Sequence, residues 1–258
     1  MKLHRGAARR KAGRFLAEGA QAVREALSAG VVRELFCTPD AGVRHPDLLA
    51  AAEGYRVAVS IVTERAAAVL SETVTPQGLV AVCDLVDVPI EAALNGAPTL
   101  VAVLVDANEP GNAGTVIRVA DAAGAAAVVL AGDSVDVHNG KCVRASTGSV
   151  FHLPLARNRD VQGAVHRARA AGLQVLASAA DGELDLDDAD TVLRSPTAWL
   201  FGNEAHGLPA GVAAAADHRV HIPIHGRAES LNLATAAALC LYASARVQRA
   251  APLSPEGA

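Results

Sequence analysis

Residues 99–105 form one of the longest apolar runs in the chain, and this run constrains the fold more than any other feature. It is far shorter than the roughly 20 residues that cross a bilayer, so it does not predict a membrane span. A continuous apolar run of this length is typical of a strand buried on both faces of a parallel sheet. Further strand-like and helix-like segments alternate after it, which predicts an α/β fold. The predicted strands of this half are 99–105, 125–130, 174–178, 198–201 and 220–224, and the predicted helices are 114–123, 159–171 and 231–249.

The first part of the chain shows the same alternation on a smaller scale. Its predicted helices are 13–30, 45–53 and 64–71, and its predicted strands are 32–38, 56–61 and 78–86. Residues 87–98 contain Pro89, Asn95, Gly96 and Pro98, which are typical of a loose connection. We therefore predict two α/β domains, residues 1–92 and residues 97–258, joined by this segment.

Composition excludes several classes of protein. Hydrophobic residues make up 51% of the chain and charged residues 19%, which is not the composition of a disordered protein. The four cysteines include no C-x-x-C pair, so the usual zinc and thioredoxin motifs are excluded. No continuous apolar stretch follows the N-terminal charges, which argues against a secretory signal. These features predict a reduced, cytoplasmic protein.

The charge balance argues against a generic nucleic-acid binder, but the N-terminus is an exception. The net charge is −4, from 23 Lys and Arg against 27 Asp and Glu. Before Glu18, however, the chain has only basic charges: Lys2, Arg5, Arg9, Arg10, Lys11 and Arg14. A basic arm of this kind can hold a phosphate backbone even when the whole protein is acidic. The alternative is a frayed, solvated terminus.

The first polar segment follows the strand predicted at 99–105. It contains Asn112 and Gly114 at the expected start of a helix, and Arg118 about one and a half turns further on. Asn112 can be explained as a helix N-cap and Arg118 as a solvated side chain. The glycines match neither the dinucleotide pattern nor a phosphate loop, which disfavours a nucleotide-binding dehydrogenase.

The second polar segment follows the strand predicted at 198–201. Gly202 and Gly207 allow the backbone to turn sharply or to approach a ligand closely, and they enclose the polar pair Asn203 and Glu204. A plain strand–turn–helix connection explains the glycines but leaves the polar pair unexplained. His206 lies between them, although a histidine in a loop is more often simply exposed.

The third polar segment connects the last predicted strand to the last helix. Ser230 is predicted to cap that helix, with Asn232 in its first turn, and such a helix start suits an anion. His221 and His225 suggest a metal, but neither a third ligand nor a metal-binding motif supports one. The sequence therefore predicts no metal site.

Together and in this order, the three segments resemble the signature motifs of the SpoU (TrmH-like) family of RNA ribose 2′-O-methyltransferases, within the SPOUT superfamily. Asn112, Gly114 and Arg118 are similar to the first family motif. The residues similar to the second family motif are Gly202, Asn203, Glu204 and Gly207. Those similar to the third motif are Ile222, Pro223, Ser230, Leu231 and Asn232, with Ile224 at the position where methionine is common. A connecting stretch that contains Arg144, Ser146 and Gly148 is also similar to the family.

The resemblance implies a fold, a cofactor and an assembly. The fold is an α/β domain with a deep trefoil knot, and the family works as a homodimer. S-adenosylmethionine is the implied cofactor, and the reaction is attack of a ribose 2′-hydroxyl on its sulfonium methyl. The implied cofactor-binding residues are Leu200, Gly202, Asn203, Gly207, Ile222 and Leu231.

The same resemblance implies catalytic roles. Arg118 is the residue that activates the hydroxyl, and we expect it to stabilise the alkoxide because a guanidinium essentially never deprotonates. Asn112, Glu204, Ser230 and Asn232 are expected to orient Arg118 and the ribose.

The N-terminal residues 13–19 resemble the start of the L30e-like substrate-binding domain found in ribosomal-RNA members of the family. The implied partner is therefore RNA, and 23S rRNA is the substrate that we expect. The candidate RNA-binding residues are Arg5, Arg9, Arg10, Lys11 and Arg144. Two alternatives remain: a tRNA ribose 2′-O-methyltransferase and a non-catalytic RNA- or ribosome-binding protein on the same fold.

Overall fold

A computed structural model describes residues 3–250 and contains one β-sheet in each half of the chain. The N-terminal sheet has four strands in the order β1-β4-β2-β3, and only the β2–β3 pair is parallel. Its strands are β1 (Arg14–Glu18), β2 (Val32–Cys37), β3 (Ala58–Ile61) and β4 (Leu79–Asp84). Its helices are α1 (Gly6–Ala12), α2 (Ala20–Ser28), α3 (Pro39–Arg44), α4 (Pro46–Gly54) and α5 (Glu64–Leu70).

The predicted helix over residues 13–30 is wrong in its first part, where β1 lies. Phe15 and Ala17 are buried while Arg14, Leu16 and Glu18 are more exposed, which is the period-two pattern of a strand. Gly19 has φ +94°, a left-handed value that ends the extended segment before α2 begins. The helical spacing of apolar residues corresponds to a helix only from residue 20 onward, in α2.

The C-terminal sheet has eight strands in the order β10-β12-β9-β11-β6-β7-β8-β5, and each pair is parallel. The strands are β5 (Asp87–Val88), β6 (Leu100–Val105), β7 (Ala127–Ala131), β8 (Leu155–Asn158), β9 (Gln174–Ser178), β10 (Leu184–Asp185), β11 (Thr197–Phe201) and β12 (His218–His221). The helices are α6 (Ile90–Ala93), α7 (Pro110–Ala123), α8 (Gly140–Ser146), α9 (Val161–Ala170), α10 (Asp190–Leu193), α11 (Ala210–Ala213) and α12 (Leu233–Ala250).

Strand β6 is buried along its whole length, as the apolar run predicts. Leu100, Ala102 and Leu104 pack with apolar residues of α7 and α12. Val101 and Val103 face the other layer, which is formed with α6 and α9. The strand therefore lies between two helical layers, and the predicted α/β class is confirmed. The predicted knot stays a prediction.

The chain passes from one sheet to the other around residues 85–86, earlier than the boundary at residue 92. Strand β5 pairs with β8, and Ile90 and Ala93 of α6 pack in the core of the C-terminal sheet. We therefore propose that the first domain ends near residue 86. Within residues 3–250, no helix is long and apolar enough to cross a membrane.

Candidate active site

The loop after β6 presents Asn112 on the first turn of α7. The helix begins at Pro110, and the side chain of Glu109 caps it by accepting a hydrogen bond from the Gly111 N–H at 3.2 Å. Asn112 is therefore not the N-cap, and its amide is free to reach outward. Gly114 lies where α7 crosses α8, and a Cβ there would overlap the carbonyl oxygen of Cys142. This first-motif glycine is explained by close helix packing.

The loop after β11 folds back on itself. Asn203 and Gly207 exchange backbone hydrogen bonds of 3.1 and 2.8 Å, and a Cβ on Gly202 would overlap the backbone of Gly207 and Leu208. The side chain of Asn203 donates to the carbonyl oxygen of Asp106 at 2.8 Å. This bond ties the second loop to the end of β6, and Glu204 is left pointing outward as an exposed side chain.

The start of α12 differs from the prediction, because Asn232 is the cap and Ser230 is not. The Asn232 Oδ1 accepts hydrogen bonds from the N–H groups of Ala234 and Thr235, at 2.9 and 3.4 Å. Ser230 lies two residues earlier, in the exposed loop before the helix. The periodic apolar residues of the helix begin at Leu233, so the cap belongs next to it.

The side chains of Asn112, Glu204 and Asn232 form a hydrogen-bonded chain, although they come from the three separate segments. The Asn112 Nδ2 donates to the Glu204 Oε1 at 2.9 Å, and the Asn232 Nδ2 donates to the Asn112 Oδ1 at 3.1 Å. The exposed carboxylate of Glu204 and the two linked amides present hydrogen-bonding groups to a polar ligand. No single motif predicts these contacts.

A cleft of about 500 Å³ opens beside this chain. Of the predicted cofactor-binding residues, Gly202, Asn203, Gly207, Ile222 and Leu231 line it, together with Glu204 and Ser230. Leu200 is completely buried in β11 and does not line it. Its walls combine apolar side chains with polar ones, and the volume suits a nucleoside-sized ligand.

Arg118 does not line the cleft and lies on the exposed side of α7. Its Nη1 donates to the Oγ1 of Thr147 at 3.3 Å. Thr147 has φ +51°, which is unusual for a β-branched residue and costs about 1–3 kcal/mol. The sequence analysis does not single out Thr147 as a site residue. The only sequence feature that points to it is its position inside the family-like stretch from Arg144 to Gly148.

Two predictions for the N-terminal arm need correction. Residues 6–12 form helix α1 rather than a frayed terminus, and Lys2 lies outside the described residues. Arg9 is only 4% exposed, and its Nε and Nη2 donate to Asp136 Oδ2 at 3.0 and 2.8 Å. The structure thus places this guanidinium in an ion pair away from solvent and does not support the RNA-binding role predicted for Arg9.

The other candidate RNA-binding residues remain accessible. Arg5, Arg10 and Lys11 are exposed, and Arg144 is partly exposed beside Glu18.

The histidines considered as metal ligands lie apart. His221 contacts the carbonyl oxygen of Gly182 through Nδ1 at 2.9 Å, while His225 is exposed in the loop before α12. Within the described part of the chain, no three His, Cys, Asp or Glu side chains come together to hold a metal ion.

Comparison with known proteins identifies the family. Residues 99–242 match the SpoU rRNA Methylase family, and residues 1–81 match an MRM3-like substrate binding domain. The chain is 36% identical to the 23S rRNA (guanosine(2553)-2′-O)-methyltransferase RlmP of Bacillus subtilis, over 93% of this chain and 92% of that protein.

Solved structures agree with this match. The SpoU methyltransferase AviRb from Streptomyces viridochromogenes, in complex with AdoMet, has a TM-score of 0.83 and 32% identity, covering 96% of each chain. An AdoMet-bound rRNA methyltransferase from Sinorhizobium meliloti has a TM-score of 0.82 and 32% identity, covering 95% of this chain and 91% of that one. This chain therefore belongs to the SpoU rRNA methylase family.

Proposed function

We propose that this protein transfers a methyl group from S-adenosylmethionine to a ribose 2′-hydroxyl of 23S rRNA. The observation that carries the proposal is the hydrogen-bonded chain of Asn112, Glu204 and Asn232 beside a cleft of mixed polar and apolar lining. Three segments far apart in sequence supply these side chains, and all three belong to the motifs of the family. The names of the similar proteins support the same substrate class.

The residues of the cleft fit the proposed cofactor. The 202–207 loop is closed so tightly that a Cβ on Gly202 would overlap the backbone of Gly207. Ile222 and Leu231 offer apolar surface for a flat ring. Glu204 and Ser230 supply polar groups at the same cleft. When bound there, S-adenosylmethionine supplies a methyl group on a positively charged sulfonium, which is electrophilic without a metal.

Arg118 is proposed to stabilise negative charge on the ribose oxygen. Its guanidinium stays protonated, so it does not accept the proton, which leaves to phosphate or water. A single hydrogen bond of 3.3 Å holds its side chain to Thr147, and a bound ribose can replace that bond. Asn112, Glu204, Asn232 and Ser230 are proposed to orient the hydroxyl.

The remaining proposals concern partners. Arg5, Arg10, Lys11 and Arg144 are proposed to contact rRNA phosphates, with Arg9 removed from this set. Leu239 and Tyr242 of α12 are 43% and 53% exposed, which supports a homodimer that covers them. An rRNA substrate agrees with a cytoplasmic location.

Methyl transfer from S-adenosylmethionine to transcribed 23S rRNA tests the proposal directly. Arg118→Ala should lower kcat by roughly a hundredfold or more while leaving cofactor binding unchanged, because it removes charge stabilisation of the transition state. Arg194→Ala is the matched control, since Arg194 is exposed and borders a different cavity beside Thr99 and Leu100. Full activity of Arg118→Ala would contradict its role, and no transfer by the unaltered chain would contradict the function.

A further inference from the structure

A groove of about 330 Å³ lies between the two domains. Gln21, Thr73, Thr75 and Gln77 of the N-terminal domain line one side, and Arg144 and Thr147 line the other. We call this site the interdomain groove. Its walls come from both domains, so neither domain forms it alone.

The interdomain groove adjoins Arg118 through Thr147. The hydroxyl of Thr147 accepts the hydrogen bond of Arg118, and the same residue lines the groove. Arg118 lies six positions after Asn112 on α7, a separation of about 9 Å along a helix. The groove and the candidate catalytic residue Arg118 therefore share Thr147 as a common neighbour.

The spacing between the groove and the active site is fixed by close packing. Gly148 has φ +99°, and a Cβ there would overlap the side chain of Glu25 on α2. His152 adds contacts across the same junction, with its ring nitrogens 2.7 Å from Asp121 and 3.2 Å from Glu25. The two domains therefore meet in a defined arrangement at this point.

The chemistry of the groove suits a nucleotide. Glu18 is the acidic residue of its lining, but that side chain is only 7% exposed and accepts hydrogen bonds from Ser71 and Thr73. Arg144 lies 3.5 Å from Glu18, and 30% of its side chain is exposed to an incoming phosphate. The other polar side chains of the lining carry hydroxyls and amides, which hydrogen-bond to the edges of unpaired bases, and Gly19, Ala20 and Ala22 complete the wall.

We propose that the interdomain groove binds an unpaired RNA nucleotide next to the nucleotide that is methylated. This inference rests on the proposed function and adds a specificity site to it. The base is recognised by Thr75, Gln77 and their neighbours, and its phosphate contacts Arg144. Because the groove lies at a fixed distance from Arg118, the enzyme selects targets in loops and not in continuous helices.

The test compares Thr75→Glu with Ala50→Glu on transcribed 23S rRNA. Thr75 is exposed in the groove, whereas Ala50 is exposed on α4, so both variants add the same charge to the same domain. Thr75→Glu should raise KM for RNA by roughly tenfold or more, because a carboxylate there repels phosphate, with kcat at saturating RNA within about twofold. Ala50→Glu should change neither value.

A second measurement does not depend on the activity of a variant. A photo-crosslinking amino acid at position 75 should crosslink to the RNA within a few nucleotides of the methylated one. Equal KM values for Thr75→Glu and Ala50→Glu, or crosslinks only far from that nucleotide, would overturn the proposal while leaving the methyltransferase function intact. No methyl transfer by the unaltered chain would instead contradict the proposed function.

Discussion

Replacing Arg9 by methionine should destabilise the protein without acting on RNA directly. The Arg9 side chain donates to Asp136 through Nε and Nη2, and its Nη1 donates to the carbonyl oxygens of Leu3 and His4 at 3.2 and 2.9 Å. Methionine keeps much of the side-chain length and loses all of these bonds. Asp136 is then left largely buried, with His138 as its remaining side-chain partner.

The magnitude follows from the burial of the pair. Removing one partner of a buried ion pair costs about 3–5 kcal/mol, because the other charge stays desolvated. Asp136 keeps its hydrogen bonds from His138, and its side chain is 19% exposed, so we expect about 2–3 kcal/mol. At about 2–4 °C per kcal/mol for a protein of this size, Tm should fall by roughly 4–12 °C.

Urea denaturation followed by circular dichroism measures this loss, with Arg10→Met as the matched control. Arg10 is the neighbouring residue and is exposed, so its replacement should change the free energy of unfolding by less than about 0.5 kcal/mol. If Arg9→Met were as stable as the wild type and lost RNA affinity to the same extent as Arg10→Met, the structural role of Arg9 would be refuted.

The pH dependence gives a second check on the same pair. Burial raises the pKa of Asp136, but hydrogen bonds from His138 and Arg9 outweigh it and hold that pKa well below its usual range. A lowered carboxylate pKa stabilises the fold above the unfolded value of about 3.9, and this contribution is lost as pH falls toward the folded pKa. The difference in the free energy of unfolding between wild type and Arg9→Met should therefore be largest at pH 7 and become smaller below about pH 4.

Two further predictions concern the cleft and the domain junction. Gly202→Ala should weaken S-adenosylmethionine binding about tenfold or more in calorimetry, because its Cβ overlaps the backbone of Gly207. Gly211→Ala, which meets nothing within 4 Å, should bind normally, and equal affinities would refute the tight loop. Hydrogen bonding to Asp121, aided by Glu25, raises the pKa of His152 despite burial, so its contribution is present below the unfolded pKa and lost as pH rises through the folded one. Wild type should exceed His152→Asn in stability at pH 5.5 but not at pH 8.5, and a constant difference in urea denaturation would argue against this linkage.

The sequence predicts those residues of the candidate site whose residue type itself suggests the chemistry. Asn112, Glu204 and Asn232 come together because strand ends of a parallel sheet meet at one edge, which an α/β pattern already implies. The exact cap of α12 was misassigned because Ser and Asn are both good caps, and only the start of the packed face distinguishes them.

Other features depend on contacts that local patterns do not contain. Arg9 looks like a solvated charge until Asp136, from the other domain, is brought next to it. Thr147 belongs to the candidate site because Arg118, on a neighbouring helix, donates a hydrogen bond to it. Residues 14–18 form a strand because they pair with β4. In each case the deciding partner lies far away in sequence.

Because α12 follows the other described helices and strands in the sequence, it is the last of them to be synthesised. The N-terminal sheet has all its strands by Asp84, whereas Leu233 and Ala236 of α12 still have to close the cleft. The indole N–H of Trp199 also lacks its hydrogen-bond acceptor, the hydroxyl of Ser244 at 2.9 Å in the folded protein, until α12 has been made. A chain that stops before Leu233 thus contains all strands of the N-terminal sheet and lacks two of the residues that line the cleft. Premature termination would therefore leave a complete N-terminal sheet beside an incomplete cleft.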